Sequence, residues 1–217
     1  MTAFGSGNAE YVLIQPVDEH DLAEMEQEVS FLQEKAGGAF LLLPVKAADW
    51  NRDLSPWPAP PVFGKEGFGD GARDMLRLIR EEIIPNARQE YGLSEHTKMI
   101  LGGYSLAGLF SLWCGHESSL FHGIAAASPS VWFPGFLGYA RQRPIQTKAV
   151  YLSLGDREER TRNPVMRQVG DSIRALYAHY ESIPDVKAAL QWNGGNHFQD
   201  AGLRTAKAFA WVMDALR

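Results

Sequence analysis

The sequence predicts an α/β domain, a mostly parallel sheet with helices on both faces. Three observations point there. Strand-length apolar runs alternate with helix-length amphipathic segments from residue 11 to the carboxyl end, a repetition that favours parallel pairing. The strand runs are apolar throughout, as strands covered on both faces are. With 45% apolar and 22% charged residues, the chain can bury a sizeable core, and 217 residues fit a single domain over 1–217.

Each element has its own signal. Tyr11–Val17 (YVLIQPV) reads as a buried strand. Over 21–35, Leu22, Met25, Val29 and Leu32 recur at spacings of three and four, which marks one face of a helix stopped by Gly37-Gly38. The next strand is 39–45. A helix over 71–91 turns Met75, Leu76, Ile79, Ile83 and Ile84 inward, with Pro85 expected to kink or divide it. A strand at 98–103 leads into a helix at 106–114, and further strands follow at 123–127 and 148–154. A helix at 169–181, a strand at 186–192 and a closing helix at 202–216 complete the pattern. The stretch 49–70 breaks the rhythm. Its prolines exclude a helix interior or a central strand, and its position after the second strand places it at the carboxyl edge of the sheet, where such folds bind ligands.

Composition removes several function classes. Lys and Arg number 21 against 26 Asp and Glu, a formal charge of −5 that gives no reason to expect nucleic acid or an anionic membrane as partner. The single cysteine, Cys114, excludes an internal disulfide framework and cannot form a cysteine zinc cluster alone. The histidines show neither a helical His-x-x-x-His pair nor clustered ligand spacing, so no metal site or cofactor is expected. No apolar run approaches the roughly 18 residues of a membrane span, and residues 1–10 lack the pattern of a secretory leader, so a cytoplasmic location is expected.

The sharpest local signal is Gly102-Gly103-Tyr104-Ser105-Leu106-Ala107-Gly108, between a buried strand and an apolar helix. A nucleophile elbow requires this context, with serine on a strained strand-to-helix turn and small residues two places either side. Here Ala107 stands where the usual pattern has its last glycine. A phosphate loop would need a Lys-Ser/Thr pair after Gly108, which is absent. An ordinary glycine-rich turn is the plain alternative.

A serine hydroxyl needs a base, and the base needs a third group to fix its tautomer. In this architecture the chain order is serine, acid, histidine. His116 and His122 fall behind the elbow, and His179 lies within a helix. His197, in Asn193-Gly194-Gly195-Asn196-His197-Phe198 after the last strand, returns to the carboxyl edge. The acid should follow the strand at 148–154, where Gly155-Asp156-Arg157-Glu158-Glu159 offers three carboxylates. Glu158 is preferred because three residues from Gly155 let the chain turn towards the histidine loop. Asp156 is the alternative acid, ahead of Glu159. Oxyanion donors would be the Leu106 N–H and one from Val17, Asp18 or Glu19, Asp18 being the central choice.

The elbow at Ser105, the Gly155-to-Glu158 turn and the Gly194-to-His197 loop resemble the α/β-hydrolase fold, and more narrowly its branch of esterase D-like and enterochelin esterase-like proteins. Ser128-Pro129-Ser130-Val131-Trp132 resembles the segment lining the substrate side in that branch. The resemblance implies a minimal three-layer α/β-hydrolase sandwich of about six mostly parallel strands. The sequence departs from the family in two ways: it is expected to start at the family's third strand, without the two strands before it, and to have no cap domain, since 133–147 is short. The resemblance also implies a Ser105–His197–Glu158 triad acting on a small ester substrate, in an open site with Trp50, Trp57, Tyr104, Trp132 and Phe198 around it. The expected activity is that of a carboxylesterase. A thioesterase, acyltransferase or peptidase would use the same residues, and a non-catalytic binding module is the reading from another class.

Overall fold

The structure is a computed structural model and describes residues 2–36, 39–62 and 64–217. Seven strands form one sheet: β1 (Phe4–Gly5), β2 (Tyr11–Val17), β3 (Phe40–Lys46), β4 (Lys98–Tyr104), β5 (Gly123–Ala127), β6 (Ala149–Gly155) and β7 (Lys187–Asn193). Their order is β1-β3-β2-β4-β5-β6-β7. All neighbours are parallel except β1, which pairs antiparallel with β3 through Phe4–Leu42 and Gly5–Leu41. The expected count of about six therefore rises by one. A two-residue strand, Phe4 and Gly5, carries no apolar run to announce it, and a strand precedes Tyr11 after all.

Period-two alternation divides the core. Val12, Ile14, Leu41, Leu43, Met99, Leu101, Ile124, Ala126, Val150 and Leu152 face one layer of helices, and Leu13, Leu42, Ile100, Ala125 and Tyr151 face the other. The first layer holds α3 (Ala72–Leu78), α4 (Ile84–Tyr91), α5 (Ser105–Glu117), α6 (Phe136–Gln142) and α7 (Val169–Glu181). The second holds α1 (Glu19–Ala36) and α8 (Ala201–Ala215), and one turn of helix, α2 (Trp50–Asp53), follows β3. The sequence expectation for α7 matches residue for residue. The Gly37-Gly38 stop expected after α1 lies outside the described residues.

Pro85 does not break its helix. A π turn at Ile79–Ile83 joins α3 to α4, and Pro85 occupies the first turn of α4. Proline has no N–H for the carbonyl four residues back, and its ring crowds that carbonyl. Widening the turn just upstream relieves both conflicts, so the axis continues to the left-handed Gly92 cap. The stretch 49–70 contains α2 and a bridge between Ala59 and Phe68. The connection from β5 to β6 contains only the two-turn α6.

The order of strands fixes where a site can form. The chain leaves β2 towards β3 on one side and, from β4 onward, builds outward on the other. The switch point lies between β2 and β4 at their carboxyl ends, the crevice where α/β sheets bind ligands. Among the described residues no helix is long and apolar enough to cross a membrane.

Candidate active site

Ser105 sits where β4 becomes α5, with φ of 55°. For a serine this left-handed backbone stores about 1–3 kcal/mol of strain, held by the packing around it. That packing needs small residues: a Cβ on Gly103 would lie 2.6 Å from Ala107 Cβ. Ser105 Oγ lies 3.0 Å from His197 Nε2 and 3.3 Å from Ser130 Oγ. On the other side of the ring, His197 Nδ1 lies 2.7 Å from Glu158 Oε2. A proton on Nδ1 shared with the carboxylate leaves Nε2 as an acceptor for the serine hydroxyl.

The three carboxylates after β6 separate cleanly. Glu158 turns inward, its side chain 5% exposed. Asp156 accepts the Gly195 N–H at 2.9 Å and so holds the histidine loop to the β6 turn. Glu159 faces Arg174 at 3.0 Å. Glycine is required at 155, because a Cβ would lie 2.5 Å from Gly195 O and 2.9 Å from Glu158 Oε1.

Arg204 is a site residue that the sequence reading missed. It lies in α8, 1% exposed, with Nη1 at 3.2 Å from Glu158 Oε1 and 3.0 Å from the Tyr104 hydroxyl, while Nη2 donates to Gly194 O at 2.9 Å. Glu158 Oε1 also accepts the Gly155 N–H at 2.7 Å and the Ser128 hydroxyl at 2.8 Å. One buried cation thus ties together the ends of β4 and β6 and the loop after β7. Helical periodicity carries the signal for it: Arg204 stands four residues before Ala208 and eight before Val212, on the buried stripe of α8.

Tyr104, expected to touch substrate, spends its hydroxyl on the protein. It donates to the His197 carbonyl at 2.8 Å, and its ring centroid lies 5.1 Å from that of His197. Burial, reinforced by the nearby Glu158 charge, pushes its phenol up to about 12, so it remains a donor at neutral pH. Trp57 is displaced from the expected rim. Its indole donates to Pro134 O at 2.9 Å and its ring packs on Phe133 and Tyr139, away from both clefts described below. A half-buried indole N–H needs a partner, and the β5–α6 connection supplies one.

The backbone donors differ in readiness. Leu106 lies in the first turn of α5, where N–H groups have no carbonyl one turn back. The Asp18 N–H is already engaged, donating to Asp21 Oδ2 at 3.1 Å, while Asp18 Oδ1 accepts from the N–H groups of His20 and Asp21. Asp18 and Asp21 form a reciprocal cap on α1. Burial pushes the Asp21 carboxyl up to about 6.

Two clefts open beside Ser105 and His197. The smaller, about 160 Å³, is lined by Asp18, Asp21, Trp50, Tyr104, Ser105 and Phe198, among others. The larger, about 270 Å³, is lined by Ser128, Trp132, Arg157, Arg160, His197 and Phe198, among others. Phe198 stands 86% exposed at the mouth of both. The remaining candidate histidines lie elsewhere. His116 is buried against Tyr180, with burial pulling its pKa down to about 4, and His122 accepts the Met99 N–H. Among the described residues no group of three His, Cys, Asp or Glu side chains could hold a metal ion.

A seven-stranded, mostly parallel sheet between two helical layers, with serine on the turn after a central strand, is the α/β-hydrolase fold. Solved structures agree. A siderophore hydrolase, EstA from Aspergillus nidulans, superposes with a TM-score of 0.75 at 18% identity, covering 97% of this chain and 84% of its own. An IroE-like serine hydrolase from Shewanella oneidensis gives 0.77 at 17% identity, covering 95% and 71%. The Bacillus cereus carboxylesterase gives 0.61 at 12% identity, covering 99% and 93%. At these identities the likeness is one of fold. No protein-family profile and no curated protein sequence matches the chain.

Proposed function

We propose that this protein is a serine esterase that hydrolyses small or short-chain carboxylic esters through an acyl-enzyme. The observation that supports it is the unbroken relay of 3.0 Å from Ser105 Oγ to His197 Nε2 and 2.7 Å from His197 Nδ1 to Glu158 Oε2. His197 takes the Ser105 proton as Oγ attacks the ester carbonyl, and Glu158 stabilises the imidazolium that forms. The tetrahedral oxyanion faces the Leu106 N–H. Collapse expels the alcohol, which receives the proton from His197 and leaves an ester on Ser105. Water then gives a proton to His197 while attacking that ester, and the acid leaves as Ser105 recovers its proton. The small cleft beside Ser105, about 160 Å³, suits a short acyl chain.

A p-nitrophenyl ester series from acetate to decanoate tests the reading, with Ser105→Ala as control. Turnover is expected to be greatest for short chains and lost in the variant. Equal turnover by wild type and Ser105→Ala would remove Ser105 from the mechanism.

A further inference from the structure

We propose that the larger cleft selects esters bearing an anionic group, a carboxylate or a phosphate, which Arg157 and Arg160 bind in a cleft that Trp132 and Phe198 also line. The proposal rests on the esterase reading above and assigns it a substrate class.

Pairing of charges carries the case. Both arginines line the cleft and both side chains are exposed. Among the described residues, neither guanidinium has a carboxylate partner, which is also true of Arg88, Arg141, Arg162 and Arg167, but of these six only Arg157 and Arg160 line the cleft that reaches His197. Their isolation is unexpected, because Asp156, Glu158 and Glu159 surround them in sequence. The structure sends each of those acids elsewhere: to the Gly195 N–H, to His197 with Arg204, and to Arg174. Two cations are thus left at the mouth of a cleft that reaches His197, on a chain whose formal charge is −5. The Glu158 charge on the cleft wall is already balanced by buried Arg204.

The smaller cleft carries the opposite sign, with Asp18 and Asp21 in its wall. An anionic ester therefore has one favourable orientation, with its charged end in the larger cleft. Planar guanidinium groups match carboxylate and phosphate geometry, and exposed pairs of this kind weaken as salt screens them.

The charge could sit on the acyl or the alcohol half of the ester, and matched substrates separate the two. For the acyl half the pair is 4-nitrophenyl 4-carboxybenzoate and 4-nitrophenyl benzoate. For the alcohol half it is 4-carboxyphenyl acetate and phenyl acetate. In at least one pair, wild type should prefer the anionic ester in kcat/KM, and Arg157→Gln/Arg160→Gln should lower that preference about tenfold, mainly through KM. The preference should also shrink as salt rises from 50 to about 500 mM. No wild-type preference in either pair, or the same preference in wild type and the double variant, overturns the proposal.

Calorimetry on Ser105→Ala with 4-carboxyphenyl acetate gives a readout independent of turnover. The same titration is made with 4-nitrophenyl 4-carboxybenzoate; binding of an anionic ester abolished by the two arginine substitutions supports the cleft assignment, and equal binding of the neutral ester in both pairs overturns it. Anion binding that persists while a fluorophosphonate fails to label Ser105 in the wild type would mark failure of the esterase reading alone.

Discussion

Arg204 offers the sharpest test of how the site is held. Replacing it by Met removes the buried cation 3.2 Å from Glu158 Oε1 and the bonds to the Tyr104 hydroxyl and the Gly194 carbonyl. Breaking one side of a buried ion pair typically costs about 3–5 kcal/mol, because an uncompensated charge stays behind. Glu158 would keep the Gly155 N–H, the Ser128 hydroxyl and His197, which places Arg204→Met near the lower end, about 3 kcal/mol. The double variant Arg204→Met/Glu158→Gln removes both charges and should recover much of the loss. Urea unfolding of the four proteins closes the cycle, with an expected coupling of about 2 kcal/mol. The positioning role adds a second readout, since Arg204→Met should lower kcat for p-nitrophenyl acetate more than tenfold while Arg204→Lys retains part of it. Stability losses that add to within about 0.5 kcal/mol would refute the idea that Arg204 acts through Glu158.

Two other predictions concern carboxylates. Glu158→Gln should lower kcat for p-nitrophenyl acetate by about 10²–10⁴, because the acid fixes the histidine tautomer, and Asp156→Asn by less than about tenfold. A larger loss in Asp156→Asn would reverse the assignment. Glu28 is buried beneath β2, bonded to Gln15, and desolvation pushes its carboxyl up from 4.5 to about 8. The folded state then keeps a proton that the unfolded chain releases, so stability falls as pH rises from about 4.5 and levels off above about 8. Glu28→Gln should therefore flatten the curve, reducing the fall in Tm between pH 5.5 and 8.5 by about 5 °C or more. Parallel Tm curves would show that Glu28 does not titrate in this range.

The parts of this molecule that sequence reveals are those where one residue type answers to one local demand. Val169–Glu181 and Gly123–Ala127 show their bounds because apolar periodicity begins and ends with them. The elbow is legible because only small residues allow β4 and α5 to approach at Gly103 and Ala107. Tertiary partners are not written so locally. Trp57 reads as a rim aromatic until Pro134 O is seen beneath its indole, and the Asp18 N–H reads as free until Asp21 is seen to hold it. Arg204 has no motif around it, and only its place on the Ala208–Val212 stripe of α8 marks it as buried. Choosing among three adjacent carboxylates depends on how the Gly155 turn folds, which is set by the contact with Gly195 from another strand's loop.

The central claim is that Ser105 is a nucleophile activated by His197. The most direct measurement is reaction with a fluorophosphonate followed by peptide mass spectrometry, which needs no knowledge of the substrate. The account predicts one adduct per chain, on the peptide carrying Ser105, absent in Ser105→Ala and slowed at least about 10²-fold in His197→Ala. An unmodified wild-type chain, or an adduct on another residue, would contradict it.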